Sequence, residues 1–164
     1  MTAELITRCV KILIVFILLW GGMWVFNTMG CSRIEGPEMV PTLVSEKNAL
    51  IDPRIHRAEQ LQRDDIIAYS CELPGTRGGP RKVTARVVGL PGDRVKMVKG
   101  EVFVNGDRAA TSVAPDKKAA DDYAEIFVPR DTVFVLCDNR SASKNLDSRT
   151  LGPIGCWAIV GKLR

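Results

Sequence analysis

The chain has 164 residues, a formal net charge of +4, 26% charged residues and 6% aromatic residues. After an apolar lead-in of about 30 residues, some ~135 remain, enough for one domain with a real core and too few for a second independent one. The basic residues are scattered, and no helix-turn-helix pattern, zinc-finger spacing or aromatic-basic platform occurs, which argues against a nucleic-acid partner.

Residues 1–11 are polar and carry Arg8 and Lys11. From Val10 to Phe26 the chain is almost wholly apolar, and counted on to Met29 the run is ~18 residues, near the lower limit for a bilayer-spanning helix. Lys11 is close enough to the end to snorkel. Trp20 and Trp24 fall in the outer half, where amphipathic rings favour the headgroup region. Positive charge ahead of the run predicts a cytoplasmic N-terminus and an extracytoplasmic domain, so the expected partition is 1–29 as lead-in and transmembrane anchor and 30–164 as the domain. A cleaved signal peptide is the alternative, but no Ala-x-Ala site follows, and Thr28-Met29-Gly30-Cys31 only weakly resembles a lipoprotein cleavage box. The expectation is an uncleaved, single-pass anchor in the cell (inner) membrane, with the lipid bilayer as one partner.

Beyond the anchor, Gly36-Pro37-Glu38-Met39-Val40-Pro41-Thr42-Leu43 reads as a stiff loop or strand entry, because each proline fixes its own φ and biases the preceding residue towards extended geometry. Asn48 to Ile55 predicts a short strand with a turn at Pro53, and 62–69 a turn followed by a strand rich in β-formers. Residues 73–80 are a loop by composition. Lys82 to Leu90 is the next strand, closed by Pro91-Gly92-Asp93-Arg94. Val95–Val98 and Val102–Val104 flank Lys99-Gly100-Glu101, and Asn105-Gly106 supplies a hairpin turn. Thr111 to Asp122 is polar and Ala-rich, a surface excursion. Asp131 to Leu136 is a buried strand, and 151–154 with 157–160 close the chain as a further strand. Many short strands with Gly/Pro turns and little helical period argue an all-β, antiparallel domain preceded by one helix.

Of the five cysteines, Cys9 lies at the edge of the apolar segment. Cys31, Cys71, Cys137 and Cys156 allow zero, one or two disulfides, with free buried thiols equally compatible. No Cys-x-x-Cys or Cys/His cluster is present, so no metal site and no cofactor are expected.

Three stretches, in this order and at roughly this spacing, resemble the boxes of the type I signal peptidase (leader peptidase) family: the 36–43 loop, Ala85-Arg86-Val87-Val88-Gly89-Leu90-Pro91-Gly92-Asp93, and Asp138-Asn139-Arg140 followed by Asp147-Ser148-Arg149. The resemblance covers almost everything after residue 30 and implies a signal-peptidase-like β domain. In that family the first box supplies a serine nucleophile and the second a lysine general base. Here those positions hold Glu38 and Ala85. Gly36, Pro37, Met39, Val40 and Pro41 fall where the family lays its substrate. The resemblance gives Arg86, Asp138, Asn139, Arg140, Asp147, Ser148 and Arg149 supporting roles, with Asp147 and Arg149 pairing to hold the base's strand. Departures from the family pattern include Asp64 at a glycine position, Cys137 at a glycine position, and a third box two residues longer, with Asn145 where a serine often orients the lysine.

A serine nucleophile needs a base to take its proton, and a lysine serves when burial lowers its pKa. Alanine titrates nothing, and a carboxylate attacking an amide would give an anhydride, a poor intermediate. Lys82 is an odd offset from position 85 and so faces the other side of the strand. Arg86 stays charged. His56 lies in a loop outside the second box, and Ser32 and Ser45 stand six and seven residues from Glu38. An unpaired carboxylate in an apolar cleft is costly, so Glu38 is expected to be reached by an arginine or by a partner's lysine. The leading expectation is a membrane-anchored, non-cleaving signal peptidase homologue that binds or assists exported preproteins or signal peptides, or pairs with an active signal peptidase. The alternatives are an active serine-type signal peptidase of exported preproteins, and a purely structural homologue.

Overall fold

A computed structural model describes residues 2–28, 30–33, 36–44, 48–55, 57–72, 79–109, 122–141 and 146–163. The chain divides into two compact units, Met1–Gly30 and Cys31–Arg164. The first is helix α1, Thr2–Thr28, 27 residues of mostly Leu, Ile, Val, Phe and Trp with no proline to interrupt it. Its described side chains from Thr7 to Met23 are all exposed within the unit. No helix, over the described residues, is long and apolar enough to cross a membrane.

The second unit is built from short strands in two sheets. In chain order these are β1 (Gly30–Arg33), β2 (Asn48–Asp52), β3 (Ile66–Cys71), β4 (Arg81–Gly89), β5 (Arg94–Val98), β6 (Glu101–Val104), β7 (Asp107–Arg108), β8 (Tyr123–Phe127), β9 (Thr132–Leu136), β10 (Ile154–Gly155) and β11 (Ile159–Leu163). The seven-stranded sheet runs β1-β2-β11-β3-β4-β9-β10 and the four-stranded sheet β7-β6-β5-β8. The registered pairs are antiparallel, among them β3 with β4 and β4 with β9. Cys71, Cys137 and Cys156 are free thiols.

Strands β4 and β9 form the wall between two cores, because strand side chains alternate faces. Val83, Ala85 and Val87 of β4, with Val133 and Val135 of β9, join Ile67, Tyr69 and Leu61 in one core. Val88 of β4, with Phe134 and Leu136 of β9, turns to the other, against Val95, Met97 and Val128. Covered on both sides, β4 is buried continuously from Val83 to Gly89, so it reads as an unbroken apolar run rather than an alternating one.

Two expectations are revised. The 36–43 segment forms successive turns rather than a strand entry, with Val40 N–H bonding Pro37 O (3.2 Å) and Leu43 N–H bonding Met39 O (2.8 Å). The strand expected over 151–154 begins only at Ile154: Leu151 ends a helical turn, α2 (Ser148–Leu151), which Asp147 caps by accepting from Arg149 N–H and Gly152 terminates. The strand then resumes as β10 and β11, separated by a 3-10 turn over Cys156–Ala158.

The turn ending β4 is stapled by Asp93. Its carboxylate accepts from Leu90 N–H (2.7 Å), Asn105 Nδ2 (2.8 Å) and Arg63 Nη2 (2.8 Å). Burial opposes its ionisation, but these donors outweigh burial and hold its pKa below the usual carboxylate value. A depressed folded pKa stabilises the fold above the unfolded pKa of about 3.9, and that stability drains away as pH falls through the folded value. Asp93→Ala should therefore cost ~2 kcal/mol at pH 7 and much less near pH 2, as read by urea denaturation at both pH values. An equal cost at the two would show that the charge of Asp93 is irrelevant.

Candidate functional site

The first loop folds back on itself at Gly36, whose φ of +90° lies in the left-handed region. A Cβ there would collide with the Glu38 carboxylate. Met39 is 1% exposed and anchors the loop, while Pro37, Val40 and Pro41 are exposed. Glu38 is 3% exposed, and its Oε1 accepts from Arg81 Nη2 at 2.8 Å. Arg81, with a side chain 44% exposed, opens β4. A buried carboxylate needs a counter-charge, and here an arginine supplies it.

Ala85 is fully buried and stands opposite Ile67 of β3. Arg81 lies four residues before it on the same face of β4, about 13 Å along the strand. So the counter-ion of Glu38 comes from the strand's end, and position 85 itself presents only a methyl group to the core. Lys82 is exposed and, by alternation, on the opposite face.

The third stretch clamps the first two. Asn139 N–H bonds Glu38 O (2.8 Å) and Asn139 Nδ2 bonds Pro37 O (3.2 Å). Asp138 takes Arg86 of β4 in a bidentate pair, Nε to Oδ1 at 2.9 Å and Nη2 to Oδ2 at 2.7 Å, with both side chains buried. The hydrogen bonds to Asp138 raise the Arg86 pKa against its burial. Arg86 Nη1 also bonds Asp64 O (3.2 Å), and Asp64, at the glycine position of its box, holds φ +69°. Cys137 is absent from the positive-φ residues, so its side chain is accommodated without backbone strain.

Asp147 is fully buried and receives Arg149 Nε (2.9 Å) and Nη2 (2.9 Å) and Cys137 N–H (3.2 Å). Arg149 Nη2 continues to Arg140 O (2.9 Å), and Arg140 Nη1 donates to Gly100 O at the β5–β6 turn. Ser148 Oγ accepts from Val135 N–H (2.9 Å), tying α2 to β9. The ion pair that reaches β4 is thus Arg86–Asp138, whereas Asp147–Arg149 braces the end of β9 and the 138–140 loop.

Arg81 and Tyr69, which the sequence gives no site role, and Cys71, which it offers only as a disulfide candidate, stand near Glu38. Tyr69 donates its OH to Leu146 O, and burial first, then the nearby Cys137, Cys71, Asp147 and Glu38, raises its pKa. Cys71, paired across the sheet with Arg81, is raised by burial, opposed by Arg81 and reinforced by Glu38. Even spacing from Ala85 along an expected strand was the one signal for Arg81. His56, Ser45, Ser143, Asn145, the side chains of Ser32 and Trp24, and the 111–121 stretch lie outside the described residues. Among the described residues no group of three or more His, Cys, Asp or Glu could hold a metal.

A family model described as "Signal peptidase, peptidase S26" matches residues 6–164. The chain belongs to this family. It is 32% identical over 143 residues to signal peptidase I V of Bacillus subtilis strain 168, covering 79% of this chain and 80% of that protein. It is 30% identical over 138 residues to signal peptidase I P of Bacillus subtilis subsp. natto, covering 78% and 71%. A crystal structure of a signal peptidase I from Enterococcus faecalis V583 aligns with TM-score 0.49 and 29% identity, over 63% of this chain and 97% of that one. Within the signal peptidase family, then, this chain carries a buried Glu38 paired with Arg81 and a fully buried alanine at position 85.

Proposed function

We propose that this signal peptidase family member does not cut peptides, and that it holds an extended segment of an exported preprotein or signal peptide between the first loop and β4. The carrying observation is Glu38: a carboxylate stands at the nucleophile position, buried and tied to Arg81. Its partner position, Ala85, has no group that could accept a proton. No activated serine can form from this pair, since a hydroxyl nucleophile and a base within reach of it are both required.

Binding does not need that pair. Residues 81–85 of β4 pair with β3 on one side, while the described β9 ladder begins only at Arg86. An extended chain could therefore add at the exposed end of this half-strand, at Arg81 and Lys82, with main-chain hydrogen bonds giving affinity; beyond it Val83, Thr84 and Ala85 are buried and Thr84 O accepts from Cys137 Sγ. An active signal peptidase is the second partner this reading admits. On this reading α1 anchors the chain in the inner membrane, with the N-terminus cytoplasmic and the domain outside, although its described residues alone do not make a span long and apolar enough to cross it. Its large side chains from Ile12 to Trp20, exposed within their own unit, support that placement.

The test is a preprotein cleavage assay in detergent, comparing the chain with a Glu38→Ser/Ala85→Lys double variant. The expected result is no cleavage by the chain and measurable cleavage by the double variant, whose lysine would enter an apolar core that favours its neutral, basic form. Cleavage by the unaltered chain would refute the reading. Failure of both, with the double variant folded, would mean the cleft has diverged beyond these two positions.

A further inference from the structure

Beside the outer end of the cleft lies a cavity of about 510 Å³, lined by Ser70, Glu72, Pro80, Leu151, Pro153 and Trp157. It belongs to neither the Glu38 site nor the third-box network. We propose that it is a subsite for a lysine or arginine side chain, carried by the extended peptide that lies along β4. The proposal rests on the reading that the cleft holds such a peptide, and it adds what that peptide must contain.

Three observations point to a long cationic side chain. Trp157 is 91% exposed and its indole lies against Gly155, where an added Cβ would strike it. An open indole face attracts a cation through its ring quadrupole. Glu72 is exposed and has no ion-pair or hydrogen-bond partner among the described residues, so a carboxylate is available in the same cavity. Between them, Pro80, Leu151 and Pro153 give apolar walls suited to the methylene stem of a lysine or arginine, with Ser70 as a polar contact.

The neighbouring charges do not cancel this preference. Arg81 is occupied by Glu38. Lys82, opposite Ser70, is exposed, so water and salt screen its repulsion. Continuity with the cleft comes from the sheet register. Cys71, which also lines the cavity, is the cross-strand partner of Arg81, and Pro80 immediately precedes β4. A chain added at Arg81 and Lys82 and running outward past Pro80 would carry its next side chain towards this cavity.

The experiment uses the full chain in detergent micelles, observing the indole N–H signals of its three tryptophans, with Trp157 assigned by Trp157→Phe. The probes are Nα-acetyl-lysine amide and its neutral counterpart, Nα-acetyl-norleucine amide. The lysine probe should shift the Trp157 signal and bind at least ~5-fold tighter than norleucine, combining an exposed cation–π contact with one surface ion pair. Glu72→Gln should shrink that preference to within about 2-fold. Gly155→Ala should abolish it by displacing the ring, since the backbone at Gly155 (φ −70°, ψ 143°) suits alanine. Equal binding of the two probes, or no shift of Trp157, overturns the proposal. Extended peptides that bind whether or not they carry a lysine would overturn the subsite and leave the cleft reading standing. A lysine probe that binds by Glu72 and Trp157, with no extended peptide bound, would support the subsite and refute the cleft reading.

Discussion

Asp138→Ala should destabilise the domain by about 3–5 kcal/mol, because it strands a buried guanidinium. Arg86 and Asp138 are both buried and share two short hydrogen bonds, and among the described residues the other carboxylate paired with Arg86 is Asp64, at 3.8 Å and much more exposed. Removing the aspartate leaves a charge that can neither lose its proton nor reach bulk water. Against a domain stability of roughly 5–15 kcal/mol, that loss is large. Urea denaturation of the full chain in detergent gives the cost. The paired replacement Arg86→Met/Asp138→Leu should cost less than Asp138→Ala alone, since removing both charges also removes the desolvation penalty. A double variant as unstable as the single one would mean that the pair's geometry, not charge compensation, holds β4 to the 138–140 loop.

The Arg86–Asp138 pair also marks where the sequence stops being legible. The strands could be read because their signals are local: β-formers bounded by Gly/Pro turns around β5 and β6, the Asn105-Gly106 turn, and the apolar run of β9. The three boxes could be read for the same reason. What joins them is not local. Arg86 and Asp138 are 52 residues apart, and Glu38 and Arg81 are 43 apart. Nothing in either segment's pattern names its partner. An arginine near Glu38 follows from the cost of burying a lone carboxylate, but which arginine depends on the register of β4 over the first loop. The helical turn after Asp147 was missed for a different reason. Four residues are too few for a helical period, and Leu151-Gly152-Pro153-Ile154 alone looks like a strand broken by a turn. Only the capping aspartate, read as a network residue rather than as an N-cap, carried the signal.

Position 85 faces the core that Tyr69, Val83 and Val135 fill, so alanine there is simply a small core residue. Position 38 could not become neutral so cheaply. A carboxylate there needs a cation, and β4 provides one at its accessible end. The other contacts do not use those two side chains: Asn139 N–H holds the backbone carbonyl of Glu38, and Arg86 turns to Asp138.

Asp147→Ala should be as damaging as Asp138→Ala, again about 3–5 kcal/mol, and it should also reach the first loop. Asp147 is fully buried and serves three partners: the helix-starting N–H of Arg149, the Arg149 guanidinium, and the Cys137 N–H at the end of β9. Its loss removes an N-cap, worth ~1 kcal/mol, and leaves Arg149 buried without its counter-ion. Arg149 in turn holds Arg140 O, in the loop whose Asn139 N–H holds Glu38 O. The consequence can be read locally as well as globally. Cys137 is 1% exposed, so its thiol should be inert in the unaltered chain and should react with a thiol reagent in Asp147→Ala at urea concentrations well below the unfolding midpoint. Asp147→Asn/Arg149→Leu, which keeps a capping side chain and removes the stranded charge, should restore most of the stability. If Cys137 instead becomes reactive only when the whole domain unfolds, the 138–140 loop is held independently of Asp147, and the route from the third box to Glu38 runs through Asp138 alone.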